Sequence, residues 1–321
     1  MQNIDSKNKY TGINTATRLA GLLGHPVGHS VSPYLQNALA KKYGINMAYL
    51  GFDIAEGQLE NAVKGGQAMN AIGFNVTVPY KKEVMKLLAG VDPVAGKIGA
   101  VNTLKLEPDG YHGYNTDMPG FGRALDYAGI AVEGRNVVVI GTGGAANAVL
   151  CSLLEKGAKN VLLLNRTVEK AEDLADRFRN DYPDRRIFTA PLIDTEKSAG
   201  TGALAGQYSG MKPYIRTMES ISTDKWIAVQ CTSVGMSPKT DAAPIEDNVF
   251  YEKIDAAFDI IFNPEETLFL KKAKEAGAVT SNGLGMLLFQ GIRSFEIWND
   301  IEVDDSFVEE LLSGMRDAIH K

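Results

Sequence analysis

The segment that most constrains this chain is the turn Gly141-Thr-Gly-Gly-Ala-Ala146. An apolar run, Asn136-Val-Val-Val-Ile140, precedes it; a helical pattern to Lys156 and a second apolar run, Asn160-Val-Leu-Leu-Leu164, follow. Strand, glycine turn, helix and strand make one βαβ unit, which requires parallel strands and a covering crossover helix. In that frame the residues match G-x-G-x-x-G/A. Gly141 permits the tight turn, Gly143 lets the backbone approach a pyrophosphate, and Ala146 lets helix and strand pack closely. The helix N-terminus then offers amide donors to phosphate. A glycine-rich turn by itself serves only chain geometry. Set between strand and helix, this one reads as a dinucleotide site with Gly141, Thr142, Gly143, Gly144 and Ala145 as contacts.

The end of the following strand bears on which dinucleotide. A site for NAD usually carries an acidic residue there to bind the ribose hydroxyls. Here the strand ends Asn165-Arg-Thr167, with no carboxylate before Glu169. A guanidinium in place of the acid suits a 2′-phosphate, which it can bind bidentately. NADP is therefore the expected cofactor and NAD the alternative. The plainer account of Arg166 is a surface ion pair with Glu169 or Glu172.

A chain of 321 residues has room for two ordinary domains. A net charge of −6 argues against a nucleic-acid partner. Cys151 and Cys231, the only two cysteines, lie far apart in apolar or small-residue runs, which fits a reducing cytoplasm. The 4 histidines show no metal-ligand spacing, so no metal is expected. The polar start, residues 1–17, reads as a loosely held arm rather than a signal peptide, and no apolar run spans a bilayer.

Ahead of residue 116, strand-like runs at 19–23, 49–54 and up to Pro79 alternate with helical patterns from Ser32 and Gln58, pointing to a mainly parallel sheet. A hairpin is expected around Glu107-Pro-Asp-Gly110, then a helix over 118–128. Residues 194–224, polar and without periodicity, read as a long loop or surface insertion. Strands resume at 226–229 and 256–261, and helices over 284–298 and 306–319 close the chain. The expected fold class is α/β, two α/β domains flanking a cleft. Residues 1–116 with 284–321 form one; residues 117–283 form the other, a Rossmann-type dinucleotide-binding domain.

Polar residues gather at the predicted strand ends and loops of the first domain: Ser30 and Ser32, Thr77 to Lys81, and Asn102 with Asp117. Hydroxyls, an amide, a lysine and a carboxylate together suit a small polyhydroxylated acid. Each cluster has a plainer account. The serines, just before a helix, can cap it. Lys81 can be a solvated surface lysine. The pattern predicts a helix over 81–88 with Lys81 in its first turn, where a cation opposes the helix dipole by a few tenths to about 1 kcal/mol.

Taken together the segments resemble the shikimate dehydrogenase family over residues 19 to 298. They are His29-Ser-Val-Ser-Pro33, Asn75-Val-Thr-Val-Pro-Tyr-Lys81, Gly99-Ala-Val-Asn-Thr103, Asn115-Thr-Asp117, Gly141-Thr-Gly-Gly-Ala145, Asn165-Arg-Thr167, and Gly283-Leu-Gly-Met-Leu287 with Gln290. The resemblance implies reversible reduction of 3-dehydroshikimate to shikimate with NADPH, in aromatic biosynthesis, by a monomer or homodimer. It implies that Ser30 and Ser32 hold the substrate carboxylate, and that Thr77, Asn102, Asp117 and Gln290 contact the ring hydroxyls. Lys81 and Asp117 match the catalytic pair. The cofactor set it implies is the glycine turn with Asn165, Arg166, Thr167, Lys170, Ile260 and Gly283.

The match has departures. Phe262 stands where the family commonly has a tyrosine whose hydroxyl helps bind the carboxylate. Gln230-Cys231 replaces a usual Asn-Ala. Two alternatives follow: a quinate/shikimate dehydrogenase using NAD or NADP, and a non-catalytic dinucleotide-binding sensor.

Overall fold

The computed structural model describes residues 12–193 and 212–319. The chain divides into two compact units, one reaching Gly120 and resuming at Leu287, the other Phe121–Met286.

In the first unit β1 (Arg18–Gly24), α1 (Ser32–Lys42), β2 (Met47–Asp53), α2 (Leu59–Ala68) and β3 (Gly73–Val76) run as two βαβ steps. After β3 come a 3-10 helix (Glu83–Leu87), β4 (Gly90–Val91), α3 (Pro93–Ile98), β5 (Thr103–Glu107), β6 (Gly110–Tyr114) and α4 (Asp117–Tyr127). The sheet order is β2-β1-β3-β5-β6-β4. β1 pairs parallel with β2 and β3, but β5 runs antiparallel to both β3 and β6. Five of the six strands run the same way, so the sheet is mainly parallel as expected, and β5 alone is reversed. The tight 107–110 turn sends the chain straight back, and a hairpin can only be antiparallel. Every residue of β3 is buried, and its core partners include Leu23, Tyr80, Val84 and Leu104. Of the expected arm, residues 12–17 are described, and they are tied: Thr17 Oγ1 donates to Asn46 Oδ1 and Asn14 Oδ1 accepts from the Ala16 amide. Residues 1–11 lie outside those described.

The second unit holds β7 (Asn136–Ile140), α5 (Ala146–Glu155), β8 (Asn160–Asn165), α6 (Val168–Arg179), β9 (Arg186–Pro191) and α7 (Pro213–Ile221). It continues through β10 (Trp226–Gln230), α8 (Asn248–Glu252), β11 (Ile254–Asp259), α9 (Leu268–Glu275) and β12 (Val279–Ser281). All strands are parallel, in the order β12-β11-β10-β7-β8-β9. Counted from β7 this is 3-2-1-4-5-6, the doubly wound dinucleotide-binding order. β7 and β10 are buried along their whole length, as parallel strands covered on both faces must be. Part of the stretch expected to be loop is the helix α7. Pro213 supplies its first turn, and Tyr214, Ile215 and Met218 enter the core beside Trp226 and Phe250. Residues 194–211 fall outside the described set.

The chain closes with α10 (Leu284–Asn299) and α11 (Val308–Ile319); α4 and α10 each carry residues of both units. Among the described residues no helix is long and apolar enough to cross a membrane.

Asp259, at the end of β11, is fully buried. Its carboxylate accepts from the Ile261 amide at 2.9 Å and the Thr267 hydroxyl at 2.7 Å. Burial outweighs these bonds and pushes the carboxyl up to about 7. A carboxyl raised on folding stabilises the fold below its unfolded value, and that contribution is lost as pH climbs through the folded value. Between pH 4 and 7 the wild type should therefore lose stability relative to Asp259→Asn, by on the order of a few kcal/mol. Urea unfolding of both proteins across that range reads the difference.

Candidate functional site

Lys81 lies on a segment held at both ends. The Thr77 amide donates to Leu23 O, the Thr77 carbonyl accepts from the Tyr80 amide, and the Val101 amide donates to Lys81 O. Tyr80 is buried, its hydroxyl donating to Ile54 O at 2.7 Å. The expected helix over 81–88 is a 3-10 turn over Glu83–Leu87 only, and Lys81 precedes it. Its carbonyl accepts from the Val101 amide, a partner outside the turn. The dipole conflict therefore does not apply. What holds the side chain is an ion pair, with Nζ 2.6 Å from Asp117 Oδ2 and the two side chains 26% and 11% exposed. This is not a solvated lysine.

Asp117 opens α4, where a carboxylate complements the helix dipole. Its other oxygen, Oδ1, accepts from Asn102 Nδ2 at 2.8 Å. The orientation of the Asn102 amide is fixed, because the Thr116 N–H donates to Asn102 Oδ1 at 2.7 Å and only the oxygen can accept there. Asn102 itself is delivered by α3, which Asp92 caps through the Val94 and Ala95 amides and Gly99 ends at φ +72°.

Gln290 joins from α10. Its Oε1 lies 3.5 Å from both Asn102 Nδ2 and Thr116 Oγ1, while its Nε2 donates to Leu287 O. Gly120 makes this approach possible: a Cβ there would stand 2.6 Å from the Gln290 amide nitrogen. Beneath the site run residues that sequence reading missed. Asn75 Nδ2 donates to Ser294 Oγ at 2.8 Å and Thr103 Oγ1 at 3.1 Å, and accepts at Oδ1 from the Tyr49 hydroxyl at 2.8 Å. Asn75 and Thr116 sit inside segments already singled out, and Ser294 is one helical turn from Gln290 on the same face. Tyr49 carried no signal.

Of the two serines only Ser30 engages the start of α1 through its hydroxyl. Val31 holds the cap position with no side-chain bond, and Ser30 Oγ accepts from the Ser32 amide at 3.2 Å. Burial pushes the titration of the Tyr49 phenol well up, with the Ser32 hydroxyl opposing it. Thr77 is half-buried, and among the described residues its hydroxyl has no hydrogen-bond partner.

In the second unit Gly141 takes φ +93°, and a Cβ there would meet Thr232 Cγ2 at 2.5 Å. Gly143 and Gly144 are exposed, with no atom closer than 3.6 Å to a Cβ built on either, so the turn stays open to a ligand. Thr142 and Ala145 flank them, half-buried, and Ala146 is fully buried at the start of α5. Beyond β8, Asn165 Nδ2 ties to Thr167 O at 2.8 Å. Arg166 and Lys170 are exposed. Among the described residues Arg166 forms no ion pair, since Glu172 bonds Arg179 and Thr189 instead. The surface ion pair considered for Arg166 is absent there. Gly283 packs so hard on Ile260 that a Cβ would stand 1.9 Å from its carbonyl oxygen. Gln230 braces the next loop, accepting from the Thr232 amide and donating to Val234 O. Cys231 is buried, its thiol pushed up by burial and then by Asp259. Phe262 is half-buried. Among the described residues no group of acidic, histidine or cysteine side chains could hold a metal ion.

Three family models match the chain: a shikimate dehydrogenase substrate binding domain over residues 22–104, shikimate / quinate 5-dehydrogenase over 124–188, and a shikimate 5′-dehydrogenase C-terminal domain over 283–312. A shikimate dehydrogenase (NADP(+)) of Methanococcus aeolicus is 39% identical over 300 residues, 94% of this chain and 98% of that one. A crystal structure of a shikimate dehydrogenase in complex with NADP+ is 37% identical, with TM-score 0.80, covering 97% of this chain and 98% of the other. The Listeria monocytogenes shikimate 5-dehydrogenase in complex with shikimate and NAD is 30% identical, with TM-score 0.80, covering 94% and 98%.

Removing the Asn102 side chain would strand the Thr116 amide and one Asp117 oxygen in a buried setting. Asn102→Ala is expected to lower the unfolding free energy by about 1–3 kcal/mol. A fall in urea midpoint at unchanged denaturant slope measures it.

Proposed function

The chain belongs to the shikimate dehydrogenase family, and from that premise we propose that it is an NADP-dependent shikimate dehydrogenase, reversibly reducing 3-dehydroshikimate to shikimate. The observation that carries the proposal is the Lys81–Asp117 pair at 2.6 Å, with Asn102 on the second carboxylate oxygen. Bound NADPH supplies the hydride.

The residues of the second unit fit that cofactor. The open glycine turn ahead of α5 offers Thr142, Gly143, Gly144 and Ala145 to the pyrophosphate. Arg166, exposed and unpaired among the described residues, takes the 2′-phosphate, flanked by Asn165, Thr167 and Lys170. Ile260 and Gly283 complete the set.

On the substrate side Lys81 Nζ hydrogen-bonds the ketone oxygen. As negative charge grows on that oxygen the ammonium stabilises it and hands over its proton. In reverse the neutral amine takes the proton from the alcohol. Asp117 keeps Nζ aimed and accepts from a neighbouring hydroxyl, with Asn102 holding the carboxylate from its far side. Thr77, whose hydroxyl is unengaged among the described residues, and Gln290 meet the remaining hydroxyls. Ser30 and Ser32 donate to the substrate carboxylate. Phe262 supports a second reading: without a phenol there the carboxylate loses one donor, of order 1 kcal/mol, and quinate becomes the competing substrate. The enzyme works in the cytoplasm as a monomer or homodimer.

Lys81→Ala is expected to lose on the order of 10²–10⁴ in kcat while calorimetry shows shikimate still binding with similar affinity; near-normal turnover would remove Lys81 from the chemistry. Arg166→Ala should raise the KM for NADP about tenfold and leave that for NAD unmoved. Steady-state rates for shikimate and quinate with each cofactor decide between the two substrates.

A further inference from the structure

Ser294 is fully buried on α10, one turn beyond Gln290. Its hydroxyl lies 2.8 Å from Asn75 Nδ2, 2.8 Å from Thr103 Oγ1, 3.2 Å from Thr116 Oγ1 and 3.0 Å from the Gln290 carbonyl oxygen. A hydroxyl has one proton and two lone pairs, so these contacts use all it has. Their directions can be assigned. The Tyr49 hydroxyl donates to Asn75 Oδ1, which leaves Asn75 Nδ2 as the donor toward Ser294. The second lone pair of Ser294 takes a threonine proton, and its own proton goes to the Gln290 carbonyl.

One side chain therefore ties the main chain at Gln290 to β3 through Asn75 and to β5 through Thr103, with the start of α4 alongside at Thr116. The Gln290 carboxamide is held only weakly. Its Nε2 folds back to Leu287 O, and its Oε1 reaches Asn102 and Thr116 at no better than 3.5 Å. Where that amide points thus depends on where the helix turn beneath it is fixed.

We propose that Ser294 is a positioning residue of the substrate site: its hydroxyl fixes the α10 turn at Gln290 against Asn75 and Thr103 and so sets the reach of the Gln290 carboxamide toward a hydroxyl of the substrate. This rests on the shikimate dehydrogenase reading above.

The test is a double-mutant cycle on the full-length enzyme with shikimate and NADP, comparing wild type, Ser294→Ala, Gln290→Ala and the double variant, with thermal unfolding of each. Ser294→Ala is expected to raise the shikimate KM about five- to tenfold, with kcat and the NADP KM within about twofold of wild type. In the Gln290→Ala background the same change should add nothing, because the group it positions is gone. Ser294→Cys, close in shape and a weaker hydrogen-bond partner, should fall between and serves if the alanine variant is too unstable to purify. A lowered melting temperature with shikimate KM unmoved overturns the proposal, as does a KM effect that adds fully to that of Gln290→Ala. Wild type that neither binds nor oxidises shikimate removes the functional reading and this proposal with it. Wild type that does both, beside an unaffected Ser294→Ala, removes this proposal alone.

Discussion

The candidate site depends on one hydrogen bond whose direction admits no choice. The Thr116 amide can only donate, so the Asn102 oxygen must face it, and the Asn102 nitrogen must face Asp117. From there the order propagates: Asp117 has one oxygen committed and turns the other to Lys81. Buried amides are costly to leave unpaired, which makes such a chain nearly all-or-none. A backbone group thereby sets the aim of a lysine on a different segment. Side-chain preference plays little part.

The second unit relies on absence of side chains rather than on bonds. Gly141 and Gly283 both sit where a Cβ would collide, with Thr232 in one case and the Ile260 carbonyl in the other. Gly144 has the opposite character, with nothing near it. Two glycines let the backbone close on itself, and another leaves the turn open. The central parallel strands β7, β8 and β10 behind them are buried almost throughout, as strands covered on both faces must be.

How much of this could be read beforehand follows from what kind of force decides each element. The doubly wound unit was legible because glycine placement and uninterrupted apolar strands are local signals. Lys81, Asp117, Asn102 and Gln290 were singled out, and the structure brings those four together. The helix assigned from Lys81 was misplaced; the Lys81 carbonyl accepts from the Val101 amide, a contact no local pattern carries. In the first sheet the mainly parallel run and the β5–β6 hairpin were legible, whereas β5 lies beside β3 through a pairing that the alternation of strands and helices does not announce. α7 was hidden by its short length and by the polar stretch ahead of it. Tyr49 was invisible, since a buried tyrosine in a strand reads as core until its hydroxyl is seen on Asn75.

The crossing of α4 and α10 at Gly120 has a bearing on how this site could change over time. There the main chain of Gln290 lies closer than any side chain would permit. Asp117 opens one of these helices and Gln290 sits on the other, so their spacing is set by backbone against backbone. Such a spacing does not record the identities of the residues around it. The helices can exchange much of their surface sequence while the two polar groups keep their distance, and drift would be blocked chiefly at the position that has no side chain to vary.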